Sequence, residues 1–596
     1  MSGGEEPTRG ARHENKERCQ GGRRQRVSDG GIIHTCRCTH ILLIWACLYS
    51  IESSISGVCL PIVWLCSACG LVFFLQMPAI PASNFHDGTL LSKLSYEFGD
   101  DFRRRGLAVP FGGVGATLEI YWASICSGSD VVLLDLECIA QYYQEINVNV
   151  KFVHRFSCES KPWKQEWTHR LFEERGIEAG CLFERAEELG QTHAYCCLHK
   201  RKCPVPGCDL LIAGASCKDF SRSSTNMSPA EVMMHATTPG GSAQTMWALL
   251  KYVSLHCIEI LLLEDADTLD VMSPAGKSLQ TALNVVAAEI RKCGMNPCPL
   301  LTDAFLFGLP EERRRFYIVA VREIGSMLLD FGTRPLALVF SCLRENLVQC
   351  QREAPCLSEV LLKGDGAQIE NLLNERLAKG AEKTKICGKV TKICGKVAKR
   401  CGGDADLGQE LQANIWYGTL PTGLQEVLKY SRAEVPKGQA LLRDISNGIN
   451  KIRYSKVVDG RHVAMCQYPE QLVWVETADQ EPRLLLGVES MMIQGFPVSV
   501  VPRLVESTSD CLLKTLAGNM MASVLPLAIL QSLFVSLAWR PQACNVQRPL
   551  AMSEGEVVDA MSCFDTMLSG EFRCEDASES SNVHSLKRRR KAAGAM

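Results

Sequence analysis

The sequence predicts a doubly wound α/β domain built on a mostly parallel sheet, and three observations predict it. From Leu118 onward, short apolar runs alternate with amphipathic stretches, the pattern of repeated βαβ units. Each run is short enough for a strand, and the stretches between are long enough for crossover helices. Small or acidic residues collect where the runs end, at the edge of the sheet where ligands bind. The predicted strands cover 118–126, 150–158, 208–215, 259–264 and 314–321. Residues 129–147 open on a Ser/Asp cap and carry apolar positions at helical spacing, and 161–175 and 277–293 behave alike.

Composition sets the outer limits. A chain of 596 residues, 46% hydrophobic, has material for a large core and more than one domain. The formal net charge of -2 leaves any contact with nucleic acid to local basic patches. The 30 cysteines lie scattered through apolar runs rather than in framework spacing, which points to free thiols in a reducing compartment.

Residues 1–38 are polar, arginine-rich and read as a disordered basic leader, and 39–100 as an apolar leader. Within the latter, Val58–Met77 is about 20 residues without a charge, long enough for roughly 30 Å of hydrocarbon, and is a candidate membrane span. Residues 101–322 form the first part of the α/β domain. The pattern fades over 323–482, where the seven-residue unit TKICGKV stands twice in tandem (384–397) and reads as a basic, exposed insertion. A compact apolar unit resumes over 483–545 and ends in a helix near 516–538. Residues 546–596 read as a disordered tail whose basic cluster, Leu586–Lys591, has the composition of a nuclear-import signal or an exposed basic patch.

Chemistry is sought at the strand ends. The first strand closes on Cys126-Ser127-Gly128-Ser129, a small-residue turn whose free N–H groups can face a polar ligand. The second ends at Glu159, where nucleotide-binding sheets place a carboxylate for ribose hydroxyls. Gly112-Gly113-Val114-Gly115 precedes any strand and fails the context test for a dinucleotide loop. After the strand at 208–215 comes Ala-Ser-Cys-Lys-Asp-Phe-Ser (215–221), which sets the thiol of Cys217 at the sheet's edge. A thiolate is the best side-chain nucleophile for an electron-poor ring carbon. The next strand ends in Glu264-Asp265-Ala266, a carboxylic acid beside the thiol, suited to protonating a ring nitrogen during that attack. Phe307–Arg322 then sends Arg313, Arg314 and Arg315 into a strand, where they can meet phosphate or a base edge. Cys196, Cys197, His199, Cys203 and Cys208 are residue types that bind zinc. Their spacing matches no paired Cys-x-x-Cys knuckle, and no metal is assigned.

In order and spacing these segments resemble the motif series of the C5 cytosine DNA methyltransferases: a small-residue cofactor loop, a ribose carboxylate, a Pro-Cys nucleophile loop, Glu-Asn-Val, Gln-x-Arg-x-Arg, a variable target-recognition region, then Gln-Gly-Phe-Pro (here IQGFP, 493–497) and Gly-Asn (AGNM, 517–520). The resemblance covers 118–322 and 483–538. It implies a Rossmann-like S-adenosylmethionine-dependent fold with 323–482 as the inserted target-recognition region. It implies that Ser127, Gly128, Glu159 and Asn519 hold S-adenosyl-L-methionine, with Trp163 near its adenine. It implies Cys217 as nucleophile, Glu264 on cytosine N3 and the exocyclic amine, and Arg313 and Arg315 as the motif's two arginines. The expected partner is duplex DNA with the target cytosine flipped out, in the nucleus. RNA cytosine, a catalytically impaired DNA-binding scaffold and a chain anchored through 58–77 are the alternatives.

The chain departs from the motif series at several places. Ser216 replaces the proline before the nucleophile, Asp265 and Ala266 replace Asn-Val, and Glu311 replaces the glutamine of Gln-x-Arg-x-Arg. Arg185, beside Glu184, stands where the third cofactor segment has an acid. None of these removes the thiol, the carboxylate or the paired arginines, and an active enzyme is expected.

Overall fold

In the computed structural model the described residues are 61–65, 72–107, 117–215, 242–270, most of 281–362, short stretches between 425 and 477, and 482–540. Both ends, the 112–115 glycines, the nucleophile loop from Ser216 and the 384–397 repeat lie outside them.

A nine-stranded sheet organises the chain. Its strands are β3 (Thr117–Ile125), β4 (Asn149–Cys158), β5 (Cys181–Phe183), β6 (His193–Cys196), β7 (Arg201–Pro204), β8 (Leu210–Gly214), β9 (Ile260–Ala266), β10 (Met295–Asp303) and β12 (Arg314–Arg322). They lie in the order β10-β12-β9-β8-β3-β4-β5-β6-β7. The five strands from β9 to β5 run parallel, and antiparallel pairs flank them on both sides. The strand order reverses at β3, whose neighbours are β4 and β8, so a crevice opens beyond their carboxyl ends. The central strands are apolar on both faces, as a sheet covered by helices on both sides requires: Leu210, Leu211, Ile212, Ile260, Leu261, Leu262 and Leu263 are all buried.

The predicted strands and helices fall within a few residues of the observed ones. Several helices were not anticipated, among them Ser242–Leu255 between β8 and β9. Leu90–Arg104 straddles the boundary drawn at 101, and it buries Leu90, Leu91, Leu94, Phe98 and Phe102, a helical stripe, in the main core. Leu336–Gln349 lies inside the region assigned to target recognition yet packs on the last helix, where Asn346 Nδ2 donates to Ser536 Oγ at 3.2 Å.

The run 58–77, read as a candidate span, contains two strands, β1 (Pro61–Leu65) and β2 (Val72–Gln76), paired antiparallel. Among the described residues, one helical stretch is long and apolar enough to cross a membrane, Asp510–Ser536, and 89% of its most apolar window is buried in the protein. It is two helices, Asp510–Asn519 and Val524–Ser536, and the second is a core element with every residue buried. Just before β12 in the chain, β11 (Glu311–Glu312) pairs in parallel with the strand Arg461–Met465 in a separate three-stranded sheet.

Candidate active site

The turn after β3 is held in an unusual backbone shape. Cys126, Gly128 and Asp130 have φ of 55°, 86° and 50°. Gly128 is the residue that cannot change: a Cβ there would stand 2.2 Å from the Asn519 carbonyl oxygen. Thus Ser127, Gly128 and Asn519, far apart in sequence, meet in one place. Gly128 N–H donates to Glu159 Oε1 at 3.1 Å, and Lys164 Nζ pairs with the same oxygen at 3.2 Å. Burial drives the Glu159 carboxyl above the ordinary range, with the Lys164 ammonium pulling against it. Trp163, half-buried, opens the helix that follows.

Sequence reasoning missed Asp130. Its carboxylate accepts the Ser127 hydroxyl, and Trp167 Nε1 fixes the loop by donating to Ser129 O at 3.0 Å. Ser129 Oγ and Asp130 Oδ2 are buried without a hydrogen-bond partner in the protein. Orphaned polar atoms in a strained loop beside a buried carboxylate fit a polar nucleoside ligand, as S-adenosylmethionine is. Arg185 points to solvent beside Glu187.

The second half of the crevice lies beyond β8 and β9. Gly214 pairs in register with Glu264, and a Cβ on Gly214 would lie 3.6 Å from Glu264 Oε2. Cys217 itself lies outside the described residues, but its loop leaves β8 beside Glu264. Glu264 Oε1 is 3.0 Å from Arg315 Nε across the β9–β12 pair. Arg315 is thereby joined to the carboxylate, while Arg314 faces solvent. Arg313 is buried and turned inward, where Nη2 donates to the Met520 carbonyl at 2.7 Å. Its contact in this structure is with the backbone after Asn519, so it clamps the two halves of the domain together.

The other thiols near the crevice are poor nucleophiles. Cys126 and Cys158 end β3 and β4, and burial drives both thiols well up, keeping them protonated. Asp265, which stands where the motif has asparagine, is also fully buried. Burial pushes its carboxyl up to about 8, against the Ala266 N–H, which donates to Oδ1 at 2.6 Å. At neutral pH it is therefore an uncharged group of asparagine's size and shape.

Four further ligand-type residues converge on the far side of β4. Cys181, Cys196, His199 and Cys203 bring their ligand atoms within 4.8 Å of one another. Cys181 was not among the residues considered for zinc, and Cys197 and Cys208 are not in the cluster.

The chain is similar to several known proteins. A curated relative, the DNA (cytosine-5-)-methyltransferase DMT5 of Cryptococcus neoformans var. grubii, is 33% identical over 145 residues, 24% of this chain. That match spans 6% of the relative's own length. Among solved structures, the Dnmt2 methyltransferase of S. pombe matches over 70% of this chain and 98% of its own, at 14% identity and a TM-score of 0.37. The Entamoeba histolytica methyltransferase EhMeth matches over 70% and 98%, at 11% identity and a TM-score of 0.36. The family signature of the C-5 cytosine-specific DNA methylases covers residues 197–522, from the turn after β6 through Gly128's partner Asn519 to the start of the last helix, and the chain belongs to that family.

Proposed function

We propose that the protein transfers a methyl group to carbon 5 of cytosine in DNA, by way of a covalent bond between Cys217 and carbon 6. One observation carries the reading: the strand that launches the Cys217 loop is in register, at Gly214, with Glu264, whose carboxylate is held by Arg315.

Ser127, Gly128, Glu159, Trp163 and Asn519 would hold S-adenosylmethionine, which supplies an electrophilic methyl group on sulfur when bound. The rest is the work of the chain's own residues. Carbon 5 of cytosine is a weak nucleophile, and addition of the Cys217 thiolate to carbon 6 makes it enamine-like. Glu264 keeps a proton on N3, so the electron pair displaced from the ring is not left as a bare charge. Arg315 fixes that carboxylate in place. After methylation, the carbon 5 proton passes to water, the Cys217–carbon 6 bond breaks and the N3 proton returns to Glu264, restoring the neutral aromatic ring and the thiolate. Asp265, uncharged, places no second negative charge beside Glu264 during these steps. Cytosine in a duplex must leave the stack at a cost of a few kcal/mol, and phosphate contacts from outward-facing cations such as Arg314 offset it. Membership of a DNA methylase family supports DNA as the substrate, and the basic cluster Leu586–Lys591 supports a nuclear location.

The test is to incubate the full chain with S-adenosylmethionine and a duplex carrying 5-fluorocytosine. Fluorine blocks loss of the carbon 5 substituent and traps the adduct. A denaturation-resistant protein–DNA complex, absent in Cys217→Ser, is expected. Trapping on a fluorinated RNA and not on DNA would transfer the reading to RNA, and no trapping on either while cofactor binds would overturn it.

A further inference from the structure

We propose that Cys181, Cys196, His199 and Cys203 form a structural zinc site that staples the outer edge of the sheet beside the cofactor crevice. His199 Nδ1 lies 3.7 Å from Cys181 Sγ, 3.3 Å from Cys196 Sγ and 3.4 Å from Cys203 Sγ. A tetrahedral zinc with bonds of about 2.3 Å to sulfur and about 2.0 Å to nitrogen has sulfur–nitrogen edges of about 3.6 Å. The three sulfur–nitrogen distances match those edges, and all four ligand atoms lie within 4.8 Å of one another.

Neither ordinary packing nor disulfide bonding accounts for the arrangement. Three sulfurs surround one imidazole nitrogen, whereas a disulfide joins two and leaves the third and the imidazole unexplained. The Cys196 sulfur is also held in place by the Leu182 N–H, which donates to it at 3.3 Å. Such hydrogen bonds orient first ligands in metal sites. Three thiolates and a neutral imidazole give a zinc complex a net charge of about -1, with three protons released to solvent. Lys200, Arg201 and Lys202 supply compensating charge next to it. The soft sulfur-rich set favours zinc over the oxygen-seeking divalent cations, and four protein ligands leave no open position for catalysis.

The need for a staple follows from the strands. β5, β6 and β7 have three, four and four residues, and β5 meets β6 at the single register pair Phe183↔Cys196. Beyond that pair, Cys197 N–H donates to Leu182 O at 2.7 Å and Glu184 N–H to Tyr195 O at 3.3 Å. Phe183 O in turn accepts the N–H of Glu159 at 3.0 Å, so the stapled strand supports the residue assigned to the cofactor's ribose. Cys208 is engaged elsewhere, receiving the Tyr252 hydroxyl at 3.7 Å.

The experiment measures metal in the full chain, purified without chelator, by elemental mass spectrometry. About one zinc per chain is expected, as four protein ligands hold one ion. Cys181→Ala and Cys203→Ala should each reduce it by roughly tenfold or more, whereas Cys257→Ala, at an exposed cysteine outside the cluster, should retain it. Cobalt substitution of the wild-type chain gives a readout independent of how the variants fold: intense visible bands of tetrahedral cobalt with thiolate charge transfer are expected. A wild-type chain that holds no zinc and gives no such bands, cluster variants that keep full zinc, or a disulfide among these cysteines in the native protein would each overturn the proposal. None of these readouts depends on methyl transfer.

Discussion

Replacing Asp265 with asparagine should stabilise the protein, and by an amount that depends on pH. The carboxyl sits at about 8 in the folded chain, against 3.8 for a free aspartate, because burial outweighs the Ala266 N–H and the Arg315 charge, while Glu264 adds to the rise. Between those two values the unfolded chain gives up the proton and the folded chain keeps it. Stability therefore falls as pH rises through that window and levels off above about pH 8. Each unit of the gap corresponds to about 1.4 kcal/mol, so at neutral pH the ceiling on the cost is about 4 kcal/mol. Asparagine has no proton to retain and pays no such penalty. Thermal melts of the wild type and Asp265→Asn, from about pH 5 to about pH 8, should give a stability difference that widens in the variant's favour with rising pH, a few degrees in melting temperature by neutrality. In methyl transfer the wild type should decline above about pH 8, as Asp265 ionises next to Glu264, and the variant should not. A stability difference that stays constant with pH would refute the argument, because it would mean that Asp265 ionises equally in both states.

Three other substitutions probe the crevice. Cys217→Ser should abolish methyl transfer and adduct trapping while leaving the calorimetric affinity for S-adenosylmethionine unchanged, since the residues proposed to hold the cofactor follow β3 and β4 or end the helix Asp510–Asn519. Gly128→Ala forces a Cβ to within 2.2 Å of the Asn519 oxygen at a φ of 86°, a strain of about 1–3 kcal/mol. Cofactor affinity measured by calorimetry should fall by tenfold or more, about 1.4 kcal/mol. Arg313→Ala leaves the buried Met520 carbonyl without its 2.7 Å donor, and a denaturant melt should register a loss of about 1–3 kcal/mol.

The parallel strands were legible because a strand covered on both faces is apolar along its buried length, as β8 and the Ile260–Leu263 part of β9 are. The candidate site residues were sought for the same topological reason, at the ends of such strands, and Ser127, Gly128, Glu159 and Glu264 do stand there. What escaped was whatever depends on which residues meet. Helix Leu90–Arg104 has a clear apolar stripe, but the longer uncharged run before it drew the domain boundary too late. Arg313 and Arg315 look equivalent in sequence. One precedes β12 and turns inward to Met520, and the other lies on β12 opposite β9 and reaches Glu264. The cysteines show the limit most plainly. Metal-ligand patterns are sought as pairs close in sequence, and Cys196, His199 and Cys203 do sit on one hairpin with its turn. The fourth corner, Cys181, arrives from β5 only because the hairpin folds back antiparallel against it. Spacing alone admitted Cys197 and Cys208 as readily. Cys197 falls in the turn just after β6 and is not in the cluster, although it stands next to Cys196.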